Sequence, residues 1–197
     1  MYSMKEFTGY RSILITGPKN SGKSVCARAL GDITAAGIVD LDELVEKETG
    51  KTPRELFREG PDIFKRAESR ALAGVLSGIK AASGTKPLII ASGGGLIDNP
   101  EAMVILEQNK NIAIVYLEVS PETAWKRITG GNASGELPPF LNTENPKETH
   151  FTLHKRRSAA YKTFAQSNGG LSVQAEGKTP AEIAREITDF FMLLIEP

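Results

Sequence analysis

Five short apolar runs divide the chain at intervals that suit strands separated by helices. They are rich in β-branched residues and span Ser12–Thr16, Ile38–Leu41, Leu88–Ala91, Ile112–Leu117 and Leu171–Val173. Runs that are apolar on both faces are typical of buried parallel strands rather than of strands with one wet face. Because the segments between them carry helix starts, the pattern predicts an α/β protein whose parallel sheet is covered on both faces.

Three segments between these runs and one after the last run begin with residues that favour a helix N-terminus. Thr52-Pro53-Arg54-Glu55 and Thr179-Pro180-Ala181-Glu182 each fit a capping box with proline at the first helical position. Asn99-Pro100-Glu101 and Ser120-Pro121-Glu122 each offer an N-cap residue, a proline and an early acid.

One long stretch has no clear period. Thr129–Pro146 (TGGNASGELPPFLNTENP) is rich in Gly, Pro and Asn. Irregular loops of this length inside a domain are usually functional or disordered, so we expect a lid at about residues 129–146. A plain surface insertion is the alternative.

A phosphate-binding loop follows the first predicted strand. Residues Gly17–Ser24 (GPKNSGKS) complete the pattern G-x-x-x-x-G-K-[ST] and precede the helical pattern Val25–Leu30. In such a P-loop, backbone N–H groups surround a phosphate, the lysine bridges the β- and γ-phosphates, and the final hydroxyl is a Mg²⁺ ligand. The loop therefore predicts ATP and Mg²⁺ as cofactors; a degenerate loop that no longer binds nucleotide is the alternative. The predicted contacts are Gly17, Asn20, Ser21, Gly22, Lys23, Ser24 and Val25.

Two further sets of residues follow predicted strands, at the carboxyl ends of the strands where open α/β sheets bind ligands. Asp40 and Asp42 come at the end of the second strand, and alternate residues of an extended segment point the same way. We expect Asp40 to hold Mg²⁺ through water and Asp42 to accept the proton of an attacking hydroxyl. A helix cap plus a solvated acid is the alternative. Gly93, Gly94 and Gly95 follow the third strand and either admit a ligand close to the backbone or form a tight turn.

Charge balance and cysteine content narrow the class of protein. The 197 residues include 24 Lys and Arg and 24 Asp and Glu, so the formal net charge is zero. This balance argues against a general nucleic-acid or membrane binder. The single cysteine, Cys26, excludes an internal disulfide and a cysteine-based zinc site. With apolar runs too short to span a bilayer and no apolar secretory segment, we expect a cytoplasmic protein with one domain, residues 1–197.

The order and approximate spacing of these motifs resemble the shikimate kinase family over nearly the whole chain. The resemblance rests on Gly17–Ser24, Asp40 with Asp42, Phe57, Phe64–Glu68, Gly93–Gly95, and Arg157 before Tyr161. It implies a three-layer P-loop kinase fold like that of nucleoside-monophosphate kinases, with a five-stranded parallel sheet in the order 2-3-1-4-5 and a lid loop. It also implies the reaction of ATP with shikimate to give ADP and shikimate 3-phosphate.

Carried over position by position, the resemblance implies a role for each matching residue. Asp42 would bind the reacting hydroxyl and act as the base. Lys23 of the P-loop would be the second catalytic residue and would stabilise the charge of the transferring phosphate. Arg157 would pair with the substrate carboxylate. The residues implied to surround the substrate are Asp42, Phe57, Phe64, Lys65, Gly93, Gly94, Gly95 and Arg157, and those near the adenine are Arg127, Lys178 and Pro180.

Two positions depart from the family pattern. The family's second carboxylate-binding arginine falls at Lys65, which keeps the charge but lacks the planar fork of a guanidinium. The family's lid sequence Arg-Pro-Leu-Leu becomes Pro138-Pro139-Phe140-Leu141, and no residue from Gly130 to Asn145 is basic. Two alternatives to a shikimate kinase remain: a P-loop kinase for another small hydroxy acid or polyol, and a non-catalytic nucleotide-binding relative. The expected partner is a small-molecule substrate, and we expect no binding to nucleic acid or to a membrane. We expect a monomer, with a dimer as the open alternative.

Overall fold

The computed structural model describes residues 12–81, 88–130 and 136–193. The strands are β1 (Ser12–Thr16), β2 (Gly37–Asp40), β3 (Leu88–Ala91), β4 (Ile112–Glu118) and β5 (Leu171–Gln174). The α-helices within these ranges are α1 (Lys23–Thr34), α2 (Leu41–Thr49), α3 (Pro53–Glu59), α4 (Pro61–Ala81), α5 (Pro100–Glu107), α6 (Pro121–Gly130), α7 (Pro146–Ser167) and α8 (Pro180–Leu193). Two short 3₁₀ helices span Leu96–Asp98 and Pro139–Leu141.

The five strands form one parallel sheet in the order β2-β3-β1-β4-β5. This order confirms the topology that the family resemblance implies. Because all strands run in the same direction, the loops after β1, β2 and β3 emerge together at the carboxyl ends of the strands. The topology therefore brings the P-loop, Asp40 and the three glycines to the same place.

Helices cover both faces of the sheet, so the central strand is buried on each side. Ile13 and Ile15 of β1 face one apolar cluster and Leu14 between them faces the other, as strand alternation requires. In the second cluster the rings of Tyr116 and Tyr161 stack with centroids 6.0 Å apart and tie α7 to β4. Within the described ranges, no helix is long and apolar enough to cross a membrane.

The two predicted capping boxes are confirmed. The Thr52 hydroxyl accepts from the Glu55 N–H while the Glu55 carboxylate accepts from the Thr52 N–H, which starts α3. Thr179 and Glu182 make the same reciprocal pair at the start of α8. A cap of this kind contributes about 1 kcal/mol to stability.

The boundary after the second strand differs from the prediction. β2 ends at Asp40, and Leu41 is already the first residue of α2. The cause is the Asp40 carboxylate, which accepts the N–H of Asp42 at 3.0 Å and caps the helix. Asp42 therefore lies in a helical first turn rather than in an extended segment.

The irregular stretch is shorter than the predicted lid of about 129–146. Thr129 and Gly130 complete α6, and Pro146 is the first residue of α7, because helical hydrogen bonding continues further in from both sides. Residues 131–135 of the predicted lid lie outside the described residues. The term lid is used below for residues 136–145, which include the 3₁₀ helix Pro139–Leu141.

Gly170, just before β5, gives a prediction about the sheet. A Cβ atom there would collide with the carbonyl oxygen of Ile114 in β4. We expect Gly170→Ala to push β5 off its neighbour and to lower the free energy of unfolding by about 1–3 kcal/mol. The matched control is Gly74→Ala on an exposed face of α4, where nothing lies within 4 Å of the new Cβ. That change should stabilise the protein by up to about 1 kcal/mol. Denaturant titration of both variants measures the effects, and equal shifts would contradict the argument.

Candidate active site

The P-loop joins β1 to α1 through a tight turn. Gly17 and Gly22 have φ angles of 147° and 99°, values that favour glycine, and Asn20 has a φ of 62°. No described side chain caps α1 at Gly22. The N–H groups of the first helical turn are thus left for a ligand, and together with the helix dipole they favour an anion.

Lys23 is held inside this loop. Its ammonium donates hydrogen bonds to the carbonyl oxygens of Gly17 at 3.1 Å and Pro18 at 3.0 Å. Burial lowers the pKa of Lys23 to about 8, while the nearby Asp42 carboxylate raises it and the Lys19 ammonium lowers it. The result is a cation shielded from water, which interacts more strongly with an anion than a fully hydrated one would.

Ser24 connects the P-loop helix to the end of β2. Its hydroxyl donates to Oδ2 of Asp40 at 2.5 Å, while Oδ1 of Asp40 accepts the N–H of Asp42. Asp40 therefore caps α2 through one carboxylate oxygen and contacts the P-loop helix through the other. Hydroxyl and carboxylate oxygens are the ligands that Mg²⁺ prefers, and this pair fits that ion.

A cavity of about 500 Å³ lies beside the P-loop, a size typical of small-molecule sites. The predicted cofactor residues on its wall are Asn20, Ser21, Gly22, Lys23, Ser24, Val25, Arg127, Lys178 and Pro180. Arg127 is fixed there by a hydrogen bond from its guanidinium to the carbonyl of Asn20 at 2.9 Å. Gly17 starts the loop without lining the cavity; a Cβ there would lie 2.8 Å from the carbonyl oxygen of Leu117.

A second cavity, of about 120 Å³, adjoins the first. The predicted substrate residues on its wall are Asp42, Phe57, Phe64, Gly93, Gly94, Gly95 and Arg157. The Phe57 ring lies 6.5 Å from that of Phe64 and 6.4 Å from that of Phe140 in the lid. The lid thus completes an apolar wall around a space suited to a small acceptor.

The glycines after β3 allow two close approaches. A Cβ on Gly93 would lie 2.6 Å from Oε1 of Glu68, and one on Gly94 would lie 2.7 Å from the backbone nitrogen of Lys19. The glycine loop therefore packs directly against the P-loop backbone on one side and a buried carboxylate on the other.

Two carboxylates meet at this loop, Asp42, which is half-buried, and Glu68, which is buried. Burial raises the pKa of Asp42, and the neighbouring Lys23 and Lys19 ammonium groups lower it. Burial also raises the pKa of Glu68 to about 7; the hydrogen bond from Asn99 opposes this shift and Asp42 adds to it. Oε1 of Glu68 has no hydrogen-bond partner among the described residues. The lysines thus favour the ionised Asp42, which is the form that can accept a proton.

Arg157 is oriented by an ion pair. Its Nε donates to Oδ2 of Asp98 at 2.7 Å, and Arg156 donates to the same oxygen at 2.7 Å. Burial alone would raise the pKa of Asp98, but the two arginines bring it below its usual value. The Arg157 guanidinium also lies 5.5 Å from the Phe140 ring centroid. Arg157 therefore faces the smaller cavity with its position fixed from behind.

The structure places Arg54, but not Lys65, on the wall of the smaller cavity. Lys65 does not line the smaller cavity; it follows Phe64 on α4, and one residue turns a helix by about 100° away from the cavity. Arg54 does line it. Arg54 lies three residues before Phe57 and so on the same helix face, a spacing from which the sequence could have identified it. Its guanidinium donates to the carboxylate of Glu136 at 2.6 Å, joining α3 to the lid.

Comparison with known proteins assigns this arrangement to a family. The model of the shikimate kinase family matches residues 19–192. The chain belongs to the shikimate kinase family. Shikimate kinase of Persephonella marina is 32% identical over 90% of this chain and 96% of its own length. Shikimate kinase of Moorella thermoacetica is 30% identical over 94% of this chain and 96% of its own length.

A solved structure agrees with this assignment. Shikimate kinase from Acinetobacter baumannii in complex with shikimate matches with a TM-score of 0.79 and 25% identity, over 96% of this chain and 97% of that one. The P-loop kinase fold is thereby confirmed. This member of the shikimate kinase family is a phosphotransferase that acts on a hydroxyl group.

The contact between the glycine loop and the P-loop predicts that Gly94→Ala damages activity. The new Cβ would meet backbone atoms of Lys19, so the P-loop must shift. A displacement of about 1 Å can cost about 10²-fold in rate, and we expect a loss of that size in kcat/KM. Gly95→Ala is the comparison: its Cβ would lie 3.2 Å from a guanidinium nitrogen of Arg157, so a small shift of one side chain relieves the contact and the loss should be smaller. The opposite ranking in a kinase assay would refute the packing argument.

Proposed function

We propose that this protein transfers the γ-phosphoryl group of ATP to a hydroxyl of shikimate, giving ADP and shikimate 3-phosphate. The observation that carries the proposal is that Asp42 lines both cavities. A nucleotide in the larger cavity and a small acceptor in the smaller one would meet at its carboxylate. The choice of acceptor is supported by the names of the relatives and by the shikimate bound to the Acinetobacter baumannii enzyme.

The larger cavity suits ATP with Mg²⁺. Lys23 and the N-terminus of α1 would hold the phosphates. Arg127 and the turn at Lys178, Thr179 and Pro180 would lie at the adenine end. Ser24 and Asp40 would hold Mg²⁺, which would offset the negative charge of the phosphates.

The smaller cavity suits one ring that carries an acidic group. Phe57 and Phe64 supply apolar walls for the ring. Arg157, held by Asp98, and Arg54 place two guanidinium groups on the same wall. A guanidinium binds a carboxylate through two parallel hydrogen bonds. In this proposal Arg54 supplies the second cation, the role that the family resemblance implies for Lys65.

Asp42 is the general base in this proposal. The acceptor oxygen forms a bond to the γ-phosphorus while the bond from that phosphorus to the β–γ bridging oxygen breaks, and ADP leaves with the electron pair. The hydroxyl proton passes to the Asp42 carboxylate. Pro138, Pro139 and Phe140 cover the acceptor and keep water from competing for the phosphoryl group.

We also propose that residues 1–197 form one catalytic domain that works as a monomer in the cytoplasm. The described part of the chain supplies a phosphate-binding loop, a carboxylate base and an acceptor cavity, which are the parts that the proposed reaction needs. Cys26 is a free, buried thiol, which suits a reducing compartment.

An assay of ADP release with Mg-ATP tests the proposed reaction. We expect release to depend on shikimate and to saturate with it, while quinate and gluconate support much less. Asp42→Asn should lower turnover by at least about 10²-fold, because the base is lost, while the Kd for ATP changes little. Release that ignores shikimate in a protein that still binds ATP would refute the acceptor and leave the fold assignment intact.

The lowered pKa of Lys23 predicts weaker ATP binding at alkaline pH. Phosphates bind the protonated ammonium, so above a pH of about 8 the complex must take up a proton that free Lys23 lacks. Each further pH unit should then weaken the Kd for Mg-ATP by up to about tenfold. Calorimetric titrations from about pH 7 to about pH 9.5 measure this slope.

Lys23→Arg is the control for this slope. An arginine stays protonated over the whole range, so its affinity should be lower overall but should not change with pH. A parallel slope in both proteins would assign the titration to another group.

A further inference from the structure

Three described residues line both cavities: Asp42, Gly94 and Lys19. Asp42 is an acid and Gly94 has no side chain. Lys19 is therefore the one described residue that can place a positive charge on the wall shared by the two cavities. The phosphoryl group must cross the boundary at this wall if the proposed function is right.

The charge of Lys19 acts on both neighbours that handle the reacting atoms. The Lys19 ammonium lowers the pKa of Asp42 and also that of Lys23. Asp42 and Lys23 also lie with Lys19 on the wall of the larger cavity. Lys19 thus sits near the proposed base on one side and the phosphate-binding lysine on the other.

Lys19 combines a fixed backbone with an uncommitted side chain. Its backbone nitrogen and Cα pack against Gly94, where a Cβ would lie only 2.7 and 2.8 Å from them. Its side chain is exposed. No hydrogen bond or ion pair joins the ammonium to the described part of the chain. An anion arriving at the boundary can therefore bind Lys19 without first breaking an internal contact.

The other described cations on the walls of the two cavities are already engaged. Lys23 bonds to P-loop carbonyls and Arg127 to the carbonyl of Asn20. The remaining three pair with carboxylates: Arg157 with Asp98, Arg54 with Glu136 and Lys178 with Glu186. On the opposite side the lid presents uncharged residues to the smaller cavity.

We propose that Lys19 is a catalytic residue whose ammonium binds the equatorial oxygens of the phosphoryl group while that group moves between ADP and the acceptor. This inference rests on the proposed function and assigns a new role to a P-loop position whose identity the motif leaves open. As the new phosphorus–oxygen bond forms and the old one breaks, negative charge is spread over these oxygens. Lys19 gains and loses no proton; its charge stabilises the transition state more than either bound ground state, so it acts on kcat.

Steady-state kinetics of Lys19→Met and Lys19→Arg test the role. We expect Lys19→Met to lower kcat by about 10²- to 10³-fold, the loss typical of removing one group that stabilises charge in the transition state. The KM for shikimate and the Kd for ATP should stay near the wild-type values. Lys19→Arg should recover much of the rate because it restores the charge. Lys47→Met is the matched control, since Lys47 is exposed on α2 and lies on neither cavity wall.

A second readout separates charge stabilisation from a structural effect. Fluoroaluminate with ADP mimics the phosphoryl group in transfer, and transition-state mimics bind far more tightly than ground-state ligands. Wild-type protein with shikimate should bind ADP more tightly when fluoroaluminate is added. Lys19→Met should lose most of that gain while binding ADP alone normally; an undiminished gain would overturn the proposal.

The kinetic outcomes are distinguishable from one another. An unchanged kcat in Lys19→Met overturns the proposal, as does an effect confined to KM, which would make Lys19 a ground-state contact for the acceptor. Equal losses in Lys19→Arg and Lys19→Met also overturn it, because the loop shape and not the charge would then matter.

Failure of the proposed function has a separate signature. Wild-type protein would then bind ATP but show no release of ADP that depends on shikimate. The slow hydrolysis of ATP by water, measured in every variant, still tests Lys19 in that case. A loss in Lys19→Met but not in Lys47→Met would support the role for any acceptor, and equal rates would overturn it.

Discussion

Gly94 and Lys19 touch backbone to backbone, at the point where the loops after β3 and β1 meet. The distance from a notional Cβ on Gly94 to the Lys19 nitrogen, 2.7 Å, leaves no room for a side chain between the loops. Since β1 and β3 are hydrogen-bonded neighbours, the sheet fixes the height at which this contact forms. The shared wall of the two cavities, the position of the P-loop and the reach of Lys19 all depend on this contact.

Burial at the centre of the site shifts the pKa values of Lys23 and Asp42 in opposite directions. It lowers the pKa of Lys23 and raises that of Asp42, so each group alone would tend towards its neutral form. Each also offsets the shift of the other, because the carboxylate favours the ammonium and the ammonium favours the carboxylate. The site therefore keeps charged groups out of water without a direct ion pair that would occupy them.

Local sequence predicted the features that depend on neighbouring residues. The P-loop is contiguous, the strands are apolar on both faces, and the caps at Thr52 and Thr179 lie within three residues of their partners. The strand order came from the family resemblance. Features that depend on contacts between distant residues were missed. The pairing of Arg54 with Glu136 is an example, because the two residues lie 82 positions apart. The face on which Lys65 lies depends likewise on how α4 packs, which its own sequence does not specify.

Among the described residues, few line both cavities. This separation affects how substitutions can change the substrate preference of such a protein. Arg54, Phe57 and Pro138–Phe140 belong to the acceptor side alone, whereas Arg127 and Lys178 belong to the nucleotide side alone. Substitutions in α3 or the lid can therefore alter the preferred acceptor while the phosphate-handling segment is inherited intact. The phosphate chemistry and the choice of acceptor are separable traits, and the lid departure from the family pattern falls in the part that is free to diverge.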